Sequence, residues 1–327
     1  MTSPDLPAEL KAALEAKLRG FSRSDAAERS ASISKNYRDG GGSGTIRSET
    51  DALAYALARM PATYAAITAS LNALCEIRSD FAPKTLLDIG AGPGTALWAA
   101  RDCWPTIQTA SMIEASADAR AIGQGLGASL AGLQAQWSEG DATRPLSSAP
   151  AADLVTAAYL LDELEPMAIP TLVARLWELT GGLLLVVEPG TPAGWRRILA
   201  VRSQLIDLGA AIIAPCPHAA PCPLSAPDWC HFAQRVARSR LHRMAKGAEA
   251  PFEDEKFIYV AASRGPAADH PARVLATPRQ APGRIALKLC QPDGAAANRL
   301  VTRRDKAAYA VARRVGWGEA LISDDRA

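Results

Sequence analysis

From residue 84 onward, short apolar runs alternate with helical segments, and no other feature of the chain limits its fold so tightly. The apolar runs are 85–89, 110–114, 133–138, 154–159 and 183–188, and helical spacing recurs near 95–103, 116–130, 168–179 and 194–208. Strands joined by helical crossovers pair in parallel with a fixed hand. The pattern therefore predicts a parallel, doubly wound α/β sheet with helices on both faces.

Ahead of that alternation, residues 5–19 and 49–79 read as helices. In the second, Leu53, Leu57, Met60, Tyr64, Ile67, Leu71 and Leu74 recur at three- and four-residue steps, and Pro61 is expected to kink or split the segment. Between them, Asp39 to Gly44 reads as a flexible linker. After residue 208 the rhythm breaks. Residues 215–230 hold three cysteines and five prolines, too many prolines for helix or central strand. Residues 257–262 return as a strand, 265–283 read as a Pro/Gly-rich linker, and 284–289 and 299–302 read as strands around a Pro-Asp-Gly turn. The expected organisation is a helical region over 1–80 and a sheet domain over 81–264 that includes the cysteine-rich loop 215–231. A β-rich extension over 265–327 follows.

Composition narrows the class. With 48% hydrophobic and 21% charged residues the chain is an ordinary globular protein, and no stretch is long and apolar enough for a membrane span. Asp5, Glu9 and Glu15 stand where a signal or transit peptide needs basic and apolar residues, so the expected compartment is the cytoplasm, with reduced thiols. Charge is split along the chain. Residues 1–190 hold 15 Lys and Arg against 22 Asp and Glu, whereas residues 191–327 hold 21 against 12. A basic second half suits a phosphate backbone, or merely a solvated surface.

The first strand ends in Asp88-Ile-Gly90-Ala-Gly92-Pro-Gly94. Glycines at these positions let the backbone turn sharply and approach a ligand at the carboxyl end of a strand. A dinucleotide site uses GxGxxG; the GxGxG spacing behind Asp88 instead resembles motif I of S-adenosylmethionine-dependent methyltransferases. Glu114, at the end of the second strand, is placed to accept the ribose hydroxyls, and Asp141, after the third, to contact adenine. The fourth strand runs into Leu160-Leu-Asp162-Glu163, without the Asn/Asp-Pro-Pro-aromatic loop of amino-methylating enzymes. Asp162 and Glu163 are candidate general bases or helix-capping acids, and no catalytic residue is assigned.

Cys216, Cys222 and Cys230 follow one another at five and seven intervening residues, with His218 and His231 beside them. Cys290 offers a fourth thiolate from the tail. Four thiolates suit a structural zinc or an iron–sulfur cluster. Cys75 and Cys103, near helix faces, read as core residues.

These motifs together resemble the methyltransferase-like small-ribosomal-subunit assembly proteins of bacteria and mitochondria. The likeness runs from about residue 37 to 318. It rests on Ala54 to Tyr64, the glycine loop, Glu188-Pro-Gly-Thr191, the Cys-Pro-His, Cys-Pro-Leu and Asp-Trp-Cys-His-Phe series, Leu289 to Gly294 and Val301 to Asp305. The resemblance implies a Rossmann-like class I methyltransferase sheet with S-adenosylmethionine on Asp88, Gly90, Gly92, Gly94, Glu114 and Asp141. It also implies a [4Fe–4S] cluster, or alternatively zinc, on Cys216, Cys222, Cys230 and Cys290. The partner it implies is small-subunit ribosomal RNA during assembly or translation, either methylated or simply bound. The chain is expected to be monomeric away from the ribosome. Arg196, Arg197 and Arg202 of the segment Trp195 to Arg202, then Arg235, Arg238, Arg240, Arg243 and Lys246, with Arg303, Arg304, Lys306 and the pair Arg313-Arg314, are the cations expected to meet RNA.

Overall fold

A computed structural model describes residues 1–18, 29, 48–146, 149–238, 242–243, 249–266 and 270–322. The Asp39–Gly44 linker, Arg240 and Lys246 lie outside the described residues.

Helices α1 and α2 precede the sheet. Helix α1 spans Ala8–Leu18 and buries Leu10, Leu14 and Leu18 along one face. Helix α2 spans Glu49–Ile77. Ser48 caps it by accepting the Asp51 N–H, and Glu49 and Asp51 place negative charge in its first turn, where the helix dipole favours it. Of the two outcomes expected at Pro61, the split is absent: the helix is continuous through it. Proline fixes φ at a helical value and removes only one N–H. Burial of α2 on nearly every side from Ala52 to Leu74 outweighs that lost bond. Thr63, two residues on, donates its hydroxyl back to the Arg59 and Met60 carbonyls.

The sheet strands are β1 Thr85–Ile89, β2 Thr109–Glu114, β3 Gln134–Glu139, β4 Ala152–Ala158, β5 Thr180–Pro189, β6 Ala211–Ala214, β7 Phe232–Ala237 and β8 Phe252–Ser263. Between them run α3 Thr95–Cys103, α4 Ala117–Gly127, α5 Ile169–Leu179 and α6 Pro192–Asp207. The order is β3-β2-β1-β4-β5-β8-β6, with β7 pairing the outer half of β8. Strands β1 to β5 are parallel, as the alternation requires. Beyond β5 the sheet departs from the parallel arrangement, since β8 runs antiparallel to both β5 and β6. The sheet is mixed at this end because β8 pairs antiparallel with β7 as well as with β5 and β6.

Residues 265–283, expected as a linker, contain strands β9 Arg273–Val274 and β10 Arg279–Ala281. Both pair with β11 Arg284–Cys290, which also pairs with β12 Ala296–Thr302. Helix α7, Lys306–Ala312, packs on this second sheet over Val274, Ile285, Leu287, Leu289 and Val301. The leucines of α1, the whole of α2 and the main sheet share one larger core.

Candidate functional site

Strand β1 lies between β2 and β4, so the chain order reverses there and the loops after β1 and β2 diverge. Open α/β sheets bind ligands at such a point. A cleft of about 870 Å³ occupies it, lined by Gly90, Gly92, Glu114, Asp141, Tyr159 and Glu163 among others. Helix α2 closes one side with Ala52 and Tyr55.

The glycine loop is held rather than loose. Gly90 and Ala91 donate their N–H groups to the Ile113 carbonyl, and Gly92 donates to Glu114 Oε2 at 2.8 Å. Glu114 Oε1 accepts the Ser116 N–H at 2.8 Å. Gly92 has φ +51, and a Cβ built there would meet nothing within 4 Å. Its α-carbon therefore faces open space, while its backbone conformation disfavours any other residue. Gly90 has φ +71, and a Cβ would strike Leu160 at 2.7 Å. Gly94 is the N-cap of α3.

Among the acids singled out from sequence, Glu114 and Asp141 line the cleft. Asp141 accepts from the Thr143 N–H and hydroxyl, which holds its carboxyl below the usual range. Asp88 lies under the loop, buried, accepting the Thr156 hydroxyl at 2.7 Å. Burial pushes its carboxyl up to about 7 against that hydrogen bond. Glu163 is at the cleft rim, whereas Asp162 is paired with Arg197. Arg197 also bonds Glu188, whose buried carboxylate accepts the Leu161 N–H at 3.0 Å. Burial raises Glu188 to about 7 despite that arginine.

Sequence reasoning missed Tyr159 and Arg59. Tyr159 follows β4 with φ 58 and donates its hydroxyl to Glu255 Oε1 at 3.0 Å. Arg59, from α2, reaches the same oxygen at 3.4 Å. Both belong to quoted motifs, but their meeting across α2, β4 and β8 has no signal in local spacing.

On the far side of the sheet, Cys216, Cys222, Cys230 and Cys290 line one pocket with His218, Arg202 and Arg273. All four thiols are free, and His218 Nε2 stands 3.3 Å from Cys290 Sγ. Arg202 donates to the His218 and Ala220 carbonyls, while its buried Nε has no hydrogen-bond partner among the described residues. Arg273 donates to the Pro215 and Gly318 carbonyls. Burial raises the Cys216 and Cys230 thiols, and pushes Cys290 up to about 12. Among the described residues no three His, Cys, Asp or Glu side chains gather closely enough for a single metal ion. The donors are of the kind a thiolate-bound group uses: four thiols that line one pocket, with two buried guanidinium groups beside them. Cys75 and Cys103 pack, half-buried, against the main core.

The cations expected to meet RNA are partly spent inside the protein. Arg197 is paired with Asp162 and Glu188, and Arg202 is buried beside the thiols. Arg235 pairs with Asp254 at 2.8 Å and Arg238 with Glu253 at 2.7 Å, between strands β7 and β8.

Comparison with known proteins places the chain in context. Residues 49–322 match a family model described as mitochondrial small ribosomal subunit Rsm22. The chain is similar to the human mitochondrial ribosome assembly protein METTL17, at 30% identity over 82% of this chain and 62% of that protein. It is also similar to the mitochondrial Rsm22-cox11 tandem protein 2 of Schizosaccharomyces pombe, at 26% identity over 84% of this chain and 44% of that protein. The chain thus spans less than two thirds of the length of these relatives. Among solved structures, a magnesium protoporphyrin IX methyltransferase from Synechocystis with bound SAH matches at 11% identity and TM-score 0.42, over 72% of this chain and 95% of that one. A putative RNA methyltransferase from Pyrococcus horikoshii matches at 13% identity and TM-score 0.41, over 61% of this chain and 84% of that one. The cytoplasmic expectation drawn from the acidic N-terminus is corrected here: the family and the named relatives are mitochondrial, and they point to that compartment instead.

Proposed function

The chain belongs to the mitochondrial small ribosomal subunit Rsm22 family, and from that premise we propose that it is a ribosome-assembly protein that binds S-adenosylmethionine and small-subunit ribosomal RNA. The observation that carries this reading is the cleft at the β1–β2–β4 reversal, with an open glycine backbone at Gly92 and a carboxylate at Glu114. Gly92 lets the ligand approach the backbone; Glu114 keeps lone pairs for ribose hydroxyls beyond the two N–H groups it already accepts; Asp141 stands where the base would lie. When bound, S-adenosylmethionine supplies an electrophilic methyl group. Tyr55 and Glu163 line the same cleft and are the chain's candidates for orienting an acceptor. Incubation with methyl-labelled S-adenosylmethionine and small-subunit RNA tests turnover; label in the RNA, abolished by Gly92→Trp, establishes a methyltransferase.

A second reading, a binding factor without turnover, is favoured by one observation. Asp162 and the Tyr159 hydroxyl, two polar groups that follow β4, are committed to Arg197 and Glu255. It predicts calorimetric binding of S-adenosylmethionine with no label transferred.

Cys216, Cys222, Cys230 and Cys290 would hold a [4Fe–4S] cluster, with a structural zinc as the alternative. The buried Arg202 and Arg273 would compensate the thiolates' charge. Four thiolates close every iron, so the group would be structural. Iron and acid-labile sulfide in anaerobically purified protein support the cluster; zinc without sulfide supports the alternative.

A further inference from the structure

The C-terminal sheet carries a second cleft, of about 1070 Å³, between β12 and α7. Its floor is the sheet face that carries Leu287, Leu289, Arg299 and Val301, since Arg299 pairs in register with Leu287 and Val301 with Ile285. Its far wall is α7, which presents Ala307, Ala308 and Ala312. Alanines stop at Cβ, so the helix packs on the sheet edge without filling the space between them. The remaining lining is mixed: apolar Leu287, Leu289 and Val311 beside the Gln291 amide, the Arg299 guanidinium and the Asp305 carboxylate. Asp305 Oδ1 already caps the Ala308 N–H at 3.0 Å.

The chain segments that bound the cleft are strongly cationic, with Arg299 in its lining and Arg303, Arg304, Lys306 and Arg313 beside lining residues in sequence. Between residues 270 and 322 there are ten Lys and Arg against three Asp and Glu. Arg299, Arg303, Arg304, Lys306 and Arg313 are all exposed, and among the described residues none of them makes an ion pair. That separates this surface from the β7–β8 hairpin, where Arg235 and Arg238 are neutralised by acids on the neighbouring strand.

We propose that this cleft takes an unpaired nucleotide of a single-stranded RNA segment, its base between β12 and α7 and its flanking phosphates on the arginine rim. The inference rests on the ribosomal-RNA reading above and adds to it a site and a structural preference. A planar base has two apolar faces and a polar edge, which is the combination of apolar floor and Gln291, Arg299 and Asp305 side chains found here. Arginine forks grip phosphate oxygens in pairs, and an extended strand lays successive phosphates along a rim. A paired base cannot reach the floor, because in a duplex its faces are stacked and only the backbone meets the rim. An acidic peptide would satisfy the rim and leave the cleft unused.

The test uses the full chain and fluorescence anisotropy with oligouridylate, oligoadenylate, a matched RNA duplex and heparin. Ala308→Phe fills the cleft and leaves every cation in place. It is expected to weaken single-strand binding about tenfold and to leave heparin binding within about twofold. Arg303→Glu with Arg304→Glu is expected to weaken both and to reduce the salt slope. Gln291→Ala, which leaves packing intact, serves if Ala308→Phe lowers the melting temperature; it is expected to cost about threefold for single strands alone. Single-strand affinity unchanged in both cleft variants overturns the proposal, as does equal loss of RNA and heparin. A wild-type chain that binds a small-subunit RNA fragment but no single strand overturns the cleft and leaves the ribosomal reading standing. A chain that binds no RNA removes both.

Discussion

Glu114 Oε2 accepts the backbone N–H of Gly92 at 2.8 Å, so the acid that ends the second strand fixes the shape of the glycine loop that ends the first. Its other oxygen holds the Ser116 N–H at the entrance to α4. One side chain thereby ties the loop after β1 to the loop after β2. Replacing it by Gln keeps the volume and exchanges one acceptor oxygen for a donor. Hydrogen bonds to a charged partner are worth about 1.5–3 kcal/mol. Glu114→Gln is therefore expected to weaken S-adenosylmethionine ten- to a hundredfold, roughly, by calorimetry. Unchanged affinity would remove Glu114 from the site.

Two buried acids make stability depend on pH. Asp88 is raised from 3.8, and Glu188 from 4.5, each to about 7, with burial the leading cause. In the folded chain these carboxyls keep their protons where the unfolded chain has lost them. Their contribution is full below about pH 4 and falls as pH rises to 7. Denaturant midpoints should decline from pH 5 to 7.5 and then level. Asp88→Asn, which remains neutral and can still meet Thr156, should flatten that decline. A decline of equal slope in the variant would assign it elsewhere.

Arg273 ties the tail to the cysteine-rich loop through the Pro215 and Gly318 carbonyls, both at 3.0 Å. It is buried, so Arg273→Ala leaves two carbonyls without these donors and opens a space beside the thiols. The cost of such a change is about 2–5 kcal/mol. Thermal unfolding should begin several degrees earlier, and limited proteolysis should cut first between residues 265 and 283. A melting curve indistinguishable from wild type would show the tail to be held by other contacts.

Cys290 is the thiol supplied by the second sheet. With a metal group in place, Cys290→Ser should lower bound iron or zinc and raise the protease sensitivity of the C-terminal module together. The same substitution in metal-stripped protein should change protease sensitivity little. Equal metal content in Cys290→Ser and wild type would show that three thiols suffice.

The sequence carried the first five strands and their helices because apolar periodicity is a local property, and burial in a parallel sheet demands it. Leu183 to Val187 is the plainest case, five consecutive apolar residues that the fold buries on both faces. The glycine loop was legible for the same reason: Gly90, Gly92 and Gly94 answer to backbone geometry within one turn. The antiparallel end of the sheet was harder. Strand β6 is four residues long and runs straight into Pro215, and β7 begins one residue after His231, so neither offers enough period to read. Strands β9 and β10 exist through pairing with β11, which no local pattern announces.

The site followed the same division. Glu114 and Asp141 could be placed because they sit at strand ends whose order was known. Tyr159, Arg59 and Glu255 could not, since 96 residues separate Tyr159 from its hydrogen-bond partner and 196 separate Arg59 from its own. The charge split misled in part. Arg235 and Arg238 looked free in a basic half, but Asp254 and Glu253 face them across a hairpin whose register was not visible.

Sixty residues of chain separate Cys230 from Cys290, and strands β7 to β10 must be laid down between them. As the chain leaves the ribosome, three thiols emerge long before the fourth. The sheet with its glycine cleft can be complete while the pocket behind it still lacks a wall. Maturation of the thiol pocket is thus timed by synthesis: a nascent chain arrested before residue 290 would present the nucleoside cleft with an unfinished clasp, and closure marks the arrival of the tail.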